Sequence, residues 1–194
     1  MGNTNGKKFG FTGLFPIKSV EDTLPLRQYL RSMDEHPYGS PLSSVDIIHM
    51  ARFVIIDNLA YQGIPAKRDE LKSRYLLFIC DFDGGSLDVL IRKLISDMGK
   101  TVDDIWKHCV GYPGQQSRDR MTAYFEDCQL TTTLLLADRP DDEVAAILRA
   151  LMYKRRFTDF VESCQRKRPH NLKAAFLQLW QSMENQPTPP AGSL

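Results

Sequence analysis

Apolar and polar residues alternate along four stretches of the chain, as they do in half-buried β-strands. The four stretches are residues 9–17, 47–57, 75–81 and 130–137. The polar segment 58–74 between the second and third stretches contains Gly63 and Pro65 and is too short for a packed crossover. The second and third strands are therefore predicted to pair antiparallel through a long hairpin connection.

Between and after these strands, apolar residues recur at helical spacing. Ser19 and Thr101 stand where N-capping residues are expected, and Gly99 stands where a helix would end. The predicted helices are residues 20–33, 86–98, 101–106, 117–127, 142–164 and 172–183.

The order of these elements is that of a split βαβ arrangement. It predicts an α+β fold: a ferredoxin-like βαββαβ core with an antiparallel four-stranded sheet, inserted helices after the second helix and extra C-terminal helices. Residues 1–8 are predicted to be a flexible N-terminus, residues 9–184 a single domain, and residues 185–194 a disordered tail.

Helices on one face of such a sheet leave the other face open. Apolar or β-branched residues occupy so many alternating strand positions that a single core on one face cannot bury all of them. These residues are Phe9, Phe11, Leu77, Ile79, Thr131, Thr133 and Leu135. The second face is therefore expected to pack on a partner subunit, on the extra helices or on a ligand.

The composition narrows the classes of partner. With 25 basic and 24 acidic residues the formal charge is +1, which predicts no general attraction to nucleic acid or to a membrane. No apolar run approaches the roughly 18 residues of a membrane span. Four scattered cysteines without metal-ligand spacing, and no secretory signal, indicate a cytoplasmic protein with reduced thiols.

Two segments contain candidate catalytic residues. His49 and Arg52 lie in the second strand, where alternation places His49 with Ala51 and Phe53 and turns Arg52 to the opposite face. An ionisable side chain on a sheet face needs a partner or a wet cavity. His49 is therefore either a hydrogen-bonded residue near a strand end or a pocket imidazole acting as an acid, base or ligand.

His108 and Tyr112 belong to the loop WKHCVGYPG, which brings an imidazole, a thiol, an indole and a phenol within seven residues. Loops of such composition often line sites. A histidine at a helix C-terminus also has a purely structural explanation in the helix dipole. The adjacent Cys109 does not make a nucleophilic pair with His108, because thiol activation requires a base that is close in space.

Other charged groups have structural explanations that suffice. Asp81 and Asp83 could take Mg²⁺ or Ca²⁺ at a strand end, but a turn accounts for them better. The basic clusters 154–156 and 166–168 suit a solvated helix face. RNA-recognition domains share the ferredoxin-like core, but their basic-Gly-aromatic signature is absent from residues 75–81.

The segments HMARFVIID (residues 49–57), RYLLFICDFDGG (74–85) and WKHCVGYPG (106–114) resemble bacterial proteins of the dimeric α/β-barrel superfamily. This resemblance implies ferredoxin-like modules that pair their open sheet faces, and a pocket between sheet and helices. The superfamily includes the haem-binding dye-decolourising peroxidases and chlorite dismutases, and cofactor-free monooxygenases. The peroxidase motif GxxDG is incomplete here, because Cys80 replaces its first glycine.

If haem binds, the resemblance implies His108 or His49 as the axial ligand and Arg52 as a partner for peroxide or a propionate. Two classes of function remain open. One is a small-molecule enzyme of oxidative, peroxidase- or monooxygenase-like chemistry with His49, Arg52, His108 and Tyr112 in its pocket. The other is a non-catalytic ligand-binding or interaction protein that forms a homodimer through its open sheet face.

Overall fold

The computed structural model describes residues 3–33, 39–61, 63–64, 71–165, 169–184, 186–190 and 193. The strands are β1 (Thr4–Asn5), β2 (Lys8–Pro16), β3 (Ile48–Ile56) and β4 (Tyr75–Asp83). The helices are α1 (Val20–Ser32), α2 (Leu87–Lys93), α3 (Lys100–Trp106), α4 (Arg118–Asp127), α5 (Val144–Cys164) and α6 (Pro169–Glu184). Parts of the predicted loop 36–44 and of the connection 58–74 lie outside the described residues.

The four strands form one antiparallel sheet in the order β1-β2-β4-β3. This confirms the predicted α+β class and the antiparallel pairing of the second and third long strands. In β4, the side chains at positions 76, 78, 80 and 82 are fully buried and point to the helices. The intervening positions face the open side of the sheet.

The predicted strand at residues 130–137 is wrong. Only Gln129 forms a β-bridge with β2, supported by hydrogen bonds from Leu130 N to Thr12 O at 2.7 Å and from Leu14 N to Cys128 O at 2.9 Å. Closer to Lys8, the same edge of β2 is paired with β1 instead. There the carbonyl of Asn3 accepts a hydrogen bond from the amide of Gly10. Residues 131–137 therefore run past the sheet without joining it.

The N-terminus and the loop after α3 cover the same edge of β2. Residues 3–8, which belong to the segment predicted to be a flexible N-terminus, supply β1 and the first residue of β2. At the other end, Cys109 bridges to Ile17, and Val110 N donates to Pro16 O at 2.8 Å. Successive short contacts thus satisfy the edge amides and carbonyls that a fourth long strand would have paired.

The main core lies between the sheet and helices α1 to α4, and aromatic rings dominate it. Phe53 and Phe78 stack at a centroid distance of 4.7 Å, and Trp106 meets Phe78 edge to face at 5.4 Å. Phe15 contacts both Trp106 and Phe125. The six largest side chains that are completely buried are all aromatic: Trp106, Phe11, Phe15, Phe78, Phe82 and Phe125.

Two local features set the positions of residues at the end of the sheet. Gly84 and Gly85 have φ angles of +123° and +68°, which allows the chain to turn from β4 into α2 within three residues. A β-bulge between Ile48 and Met50 inserts one extra residue in β3 opposite β4. The predicted alternation of His49 with Ala51 is therefore wrong, because the bulge moves His49 to the open face of the sheet.

Helices α5 and α6 form a hairpin whose buried side chains do not belong to the main core. The C-terminal segment 186–190, predicted to belong to a disordered tail, lies beside α5, where Arg149 donates to Thr188 Oγ1 at 3.0 Å. Within the described residues, none of the helices is both long enough and apolar enough to cross a bilayer.

Candidate functional site

A cavity of about 280 Å³ lies on the open face of the sheet, at the end where the bulge occurs. Its floor is formed by strand residues and its walls by the chain that leads into α5. The lining residues are Lys8, His49, Asp81, Leu135, Leu136, Ala137, Asp138, Arg139 and Ile147. The apolar walls and the ionisable floor are what a small-molecule site requires.

Lys8 is the centre of a buried polar cluster below this cavity. Its Nζ donates to Asp83 Oδ1 at 2.9 Å and to the backbone carbonyl of Asp142, and it also contacts His49 Nε2. Lys8 and Asp83 are only 6% and 7% exposed. A buried ammonium requires this degree of pairing, because an unpaired one would cost several kcal/mol, on the order of 3–5.

Asp83 connects this cluster to α5. Its Oδ2 accepts a hydrogen bond from Val144 N, the first residue of the helix, at 2.7 Å. Glu143, at the N-cap position, makes no side-chain cap of its own. The carboxylate of a distant strand therefore satisfies an amide that the helix leaves open, and its negative charge favours that helix end. The cluster fixes the start of α5 on the sheet.

His49 Nε2 has two polar neighbours in this cluster. It lies 2.8 Å from Asp83 Oδ1 and also contacts Lys8 Nζ. A single Nε2 atom cannot accept from Lys8 and donate to Asp83 at the same time. Nε2 therefore either accepts from Lys8, with the ring proton on Nδ1, or donates to Asp83, with Nδ1 unprotonated. Nδ1 itself has no hydrogen-bond partner among the described residues.

Asp81 lines the cavity two residues before Asp83 on the same face of β4. Within the part of the chain that the structure describes, its carboxyl group makes no hydrogen bond. Burial raises its pKa above the ordinary aspartate value, and the nearby charges of His49 and Arg52 offset this only in part. Asp81 is thus a carboxyl group that keeps its proton to a higher pH than an exposed aspartate does.

The neighbouring Asp83 has the opposite shift. Burial acts to raise its pKa, but hydrogen bonding with His49, the Val144 amide and Lys8 outweighs burial and holds the pKa below the ordinary value. Asp83 is therefore ionised at neutral pH. Two carboxyl groups whose environments separate their pKa values are a recurrent feature of acid–base sites.

The predicted site residues do not converge on one pocket. Arg52 is exposed on the open sheet face and acts on Asp81 through its charge. His108 lies at the other end of β2, where its Nδ1 lies 2.9 Å from Asp22 Oδ1 in a partly buried pair. Of the four predicted residues, only His49 lines the cavity.

Tyr112 also belongs to the helical side of the sheet. Its hydroxyl donates to Asp103 Oδ1 at 2.7 Å, and Gln115 completes the contacts of that carboxylate. Burial and the hydrogen bond with Asp103 raise the pKa of the phenol. Burial likewise raises the pKa of the Cys109 thiol to about 12, so Cys109 remains protonated and unreactive.

The cavity beside His49 does not fit a haem. The cavity of about 280 Å³ lies below the range of roughly 300–1,000 Å³ that holds drug-sized ligands. His49 Nε2 is already engaged by Lys8 and Asp83, and His108 does not line the cavity. Among the described residues no group of three His, Cys, Asp or Glu side chains could hold a metal ion, and the Lys8 ammonium takes the position of a cation between His49 and Asp83.

From the sequence, Lys8 was not a candidate, and Asp81 and Asp83 were attributed to a turn; the structure places both aspartates in β4. Lys8 precedes the first predicted strand by one residue, and it pairs in register with Asp83, two residues beyond the third predicted strand. Extending both strands would have put a lysine opposite an aspartate on the face that lacks a helical layer. Opposite charges directly across an antiparallel pair are a usable signal.

No family model, no curated protein and no solved structure matches this chain.

Proposed function

We propose that this chain is a small-molecule enzyme whose site is the cavity above Asp81 and His49, and that its reaction depends on proton transfer. The observation that carries the proposal is the pairing of Asp81, which lines a cavity and has a raised pKa, with Asp83, which is held ionised. A general acid or base works best when its pKa approaches the operating pH.

The roles of the floor residues follow from their free hydrogen-bonding groups. An ammonium has three donors, and Lys8 directs them at Asp83, Asp142 and His49, so Lys8 is a positioning residue. In the His49 tautomer whose Nε2 accepts from Lys8, Nδ1–H is left available as a donor. Asp81 would take a proton from the substrate, and His49 Nδ1–H would stabilise the anion that forms.

The walls limit the substrate to a small molecule. Leu135, Leu136, Ala137 and Ile147 supply apolar contact, and the volume suits a compound smaller than a nucleotide. A compound with an acidic C–H or O–H next to a carbonyl group meets these requirements. Oxidative chemistry would follow if the deprotonated substrate passed its electrons to dioxygen, as the resemblance to cofactor-free monooxygenases implies.

The proposal is tested by solvent deuterium exchange. Small 2-oxo acids, β-dicarbonyl compounds and amides would be incubated with the protein in D₂O, and loss of the substrate C–H signal followed by NMR. We expect exchange with at least one compound, and its loss in Asp81→Asn. Asp127→Asn, an exposed acid on α4, is the matched control. Exchange that persists in Asp81→Asn would refute the assigned role.

Dioxygen and haem can be tested separately. Oxygen consumption in the presence of an exchanging compound would support the oxidative proposal, and its absence would leave proton transfer as the reaction. When the protein is mixed with haemin, we expect no Soret band that changes when a protein side chain is replaced. A Soret band that is present with the wild type and lost in His108→Ala would show that His108 binds haem, against the expectation stated above.

A second candidate function is self-association through the open sheet face. Met50 and Val54 of β3 are 49% and 42% exposed there, although apolar strand residues are normally covered. A ferredoxin-like core is part of this proposal; its support is the order β2-α1-β3-β4-α2 and the bridge of Gln129 to β2. Light scattering after size exclusion tests it, since a strict monomer would exclude a stable homodimer.

A further inference from the structure

The α5–α6 hairpin has an apolar stripe that no other part of the described chain covers. Phe157 on α5 is 50% exposed and Trp180 on α6 is 55% exposed. Phe160 and Phe176 connect them, with ring centroids 6.0 Å apart across the two helices. Val161, Leu172 and Leu177 extend the stripe along both helices. A surface of this kind on a water-soluble chain indicates contact with something apolar.

Basic residues border this stripe. Lys154 lies three residues before Phe157 on α5, and Lys173 lies three residues before Phe176 on α6, so each lysine shares a helix side with an aromatic residue. Both lysines are exposed. Neither makes an ion pair within the described part of the chain. Their ammonium groups are therefore available for an external anion.

Although the whole chain has nearly equal numbers of basic and acidic residues, they are unevenly distributed along it. Residues 144–184 contain eight Lys or Arg and three Asp or Glu, which gives the segment a net charge of +5. Three of the eight basic residues, 166–168, lie outside the described residues. Because the whole chain is +1, the remaining residues have a net charge of −4. The segment of the hairpin thus combines a positive charge with exposed Phe and Trp side chains, whereas the rest of the chain is acidic.

We propose that the α5–α6 hairpin is a docking surface for an anionic lipid bilayer, on which it lies without crossing. Amphipathic helices with Phe, Trp and Leu on one side and Lys or Arg beside them bury the apolar side at the headgroup boundary, and their cations attract acidic lipids. Trp180 and Phe176 enter the interface, while Lys154 and Lys173 contact the headgroups. The acidic body remains on the aqueous side.

The two tryptophans provide a direct readout. Trp106 is completely buried in the main core, whereas Trp180 is 55% exposed. The full-length protein would be mixed with vesicles of phosphatidylcholine alone or of phosphatidylcholine with 30% phosphatidylserine, then sedimented. We expect binding to the anionic vesicles only, loss of iodide quenching of Trp180, and weakening of binding by added salt.

Variants test whether vesicle binding depends on the α5–α6 stripe or on another exposed part of the protein. Lys154→Glu/Lys173→Glu is expected to weaken vesicle binding by about tenfold or more, since each basic residue near an anionic bilayer contributes roughly a tenfold factor or somewhat less. Trp180→Ala is expected to weaken it as well. Ile64→Ser/Leu134→Ser, which removes two apolar side chains that are 91% and 80% exposed outside the hairpin, is the control and should bind normally. Circular dichroism confirms that each variant is folded.

Three results would overturn the proposal. The first is no binding to anionic vesicles, and the second is equal binding to neutral ones. The third is normal vesicle binding by the folded Lys154→Glu/Lys173→Glu and Trp180→Ala variants. If the anionic vesicles do not bind and Trp180→Ala converts an oligomer into a monomer, the stripe is instead a contact between two copies of the chain.

Discussion

Asp81 and Asp83 lie two residues apart on the same face of β4, and the fold shifts their pKa values in opposite directions. The difference arises from their partners. Asp83 receives hydrogen bonds from a lysine and a helix amide and lies 2.8 Å from a histidine nitrogen, whereas Asp81 is partly buried beside a cavity without a comparable donor. The Asp83 carboxylate therefore stabilises the fold, and the Asp81 carboxyl group remains available for a ligand.

Replacing Asp83 is expected to destabilise the fold strongly. Asp83→Asn leaves the buried Lys8 ammonium without its ionic partner, and removing one member of such a pair costs about 3–5 kcal/mol. Urea unfolding followed by circular dichroism measures the free energy of unfolding. The exposed Asp127→Asn should change it by less than about 0.5 kcal/mol. Equal midpoints for Asp83→Asn and the wild type would show that the Lys8 cluster does not stabilise the fold.

The raised pKa of Asp81 predicts a pH dependence of stability. Because the folded state has the higher pKa, the ionised carboxylate opposes folding once the pH exceeds the ordinary aspartate pKa of about 3.9. Asp81→Asn should therefore be more stable than the wild type at pH 7. The advantage should disappear as the pH falls below the unfolded-state pKa, which unfolding curves at several pH values would reveal.

Asp83 should behave in the opposite way. Its pKa is lower in the folded state, so its contribution to stability is present above the unfolded-state pKa and is lost as the pH falls through the folded-state value. The stability difference between the wild type and Asp83→Asn should shrink in acid. Parallel curves for the two proteins from pH 7 to pH 3 would contradict the assigned shift.

The sequence was informative where local pattern determines structure. Period-two alternation located β3 and β4, and Ser19 was correctly placed at the start of α1, where its side chain accepts from the Asp22 amide. It failed at residues 130–137, which have strand-like composition. Whether they join the sheet depends on competition with β1, a two-residue strand that has no recognisable pattern.

The candidate site was harder to predict for a related reason. The bulge at His49 reverses the face to which its side chain points, and no residue type in β3 signals a bulge. Lys8 and Asp83 occupy strand ends, where boundaries inferred from periodicity are least certain. His108 was grouped with a pocket because its neighbours in sequence are chemically rich, but its partner in space is Asp22.

The pairing of His108 with Asp22 predicts a structural effect. The hydrogen bond from His108 is the main cause of the lowered pKa of the Asp22 carboxyl group, with Ser19 contributing next. In His108→Ala the Asp22 pKa should rise towards its ordinary value, measurable by carbon-detected NMR titration. Deuterium exchange in the Asp81 cavity should be unaffected. A loss of exchange in the folded variant would instead place His108 in the reacting site.

Lys8 and Asp83 should be energetically coupled. Lys8→Met removes the ammonium and leaves Asp83 with two of its donors, so the single variant is expected to be destabilised. In the double variant Lys8→Met/Asp83→Asn neither charge remains without its partner. Its destabilisation should be smaller than the combined effect of the single variants by about 1 kcal/mol or more. Strict additivity would mean that the two residues act independently.

Gly10 determines how closely Leu135 approaches the floor of the cavity. A Cβ at this position would lie 3.0 Å from Leu135 Cδ1 and 3.3 Å from Asp81 Oδ1. Gly10→Ala should displace the flexible leucine slightly, whereas Gly10→Val fills the space beside Asp81 and costs about 1–3 kcal/mol through overpacking. Deuterium exchange should therefore decline from glycine to alanine to valine while the fold persists. Full exchange activity in a folded Gly10→Val variant would show that the substrate does not occupy the space between Gly10, Leu135 and Asp81.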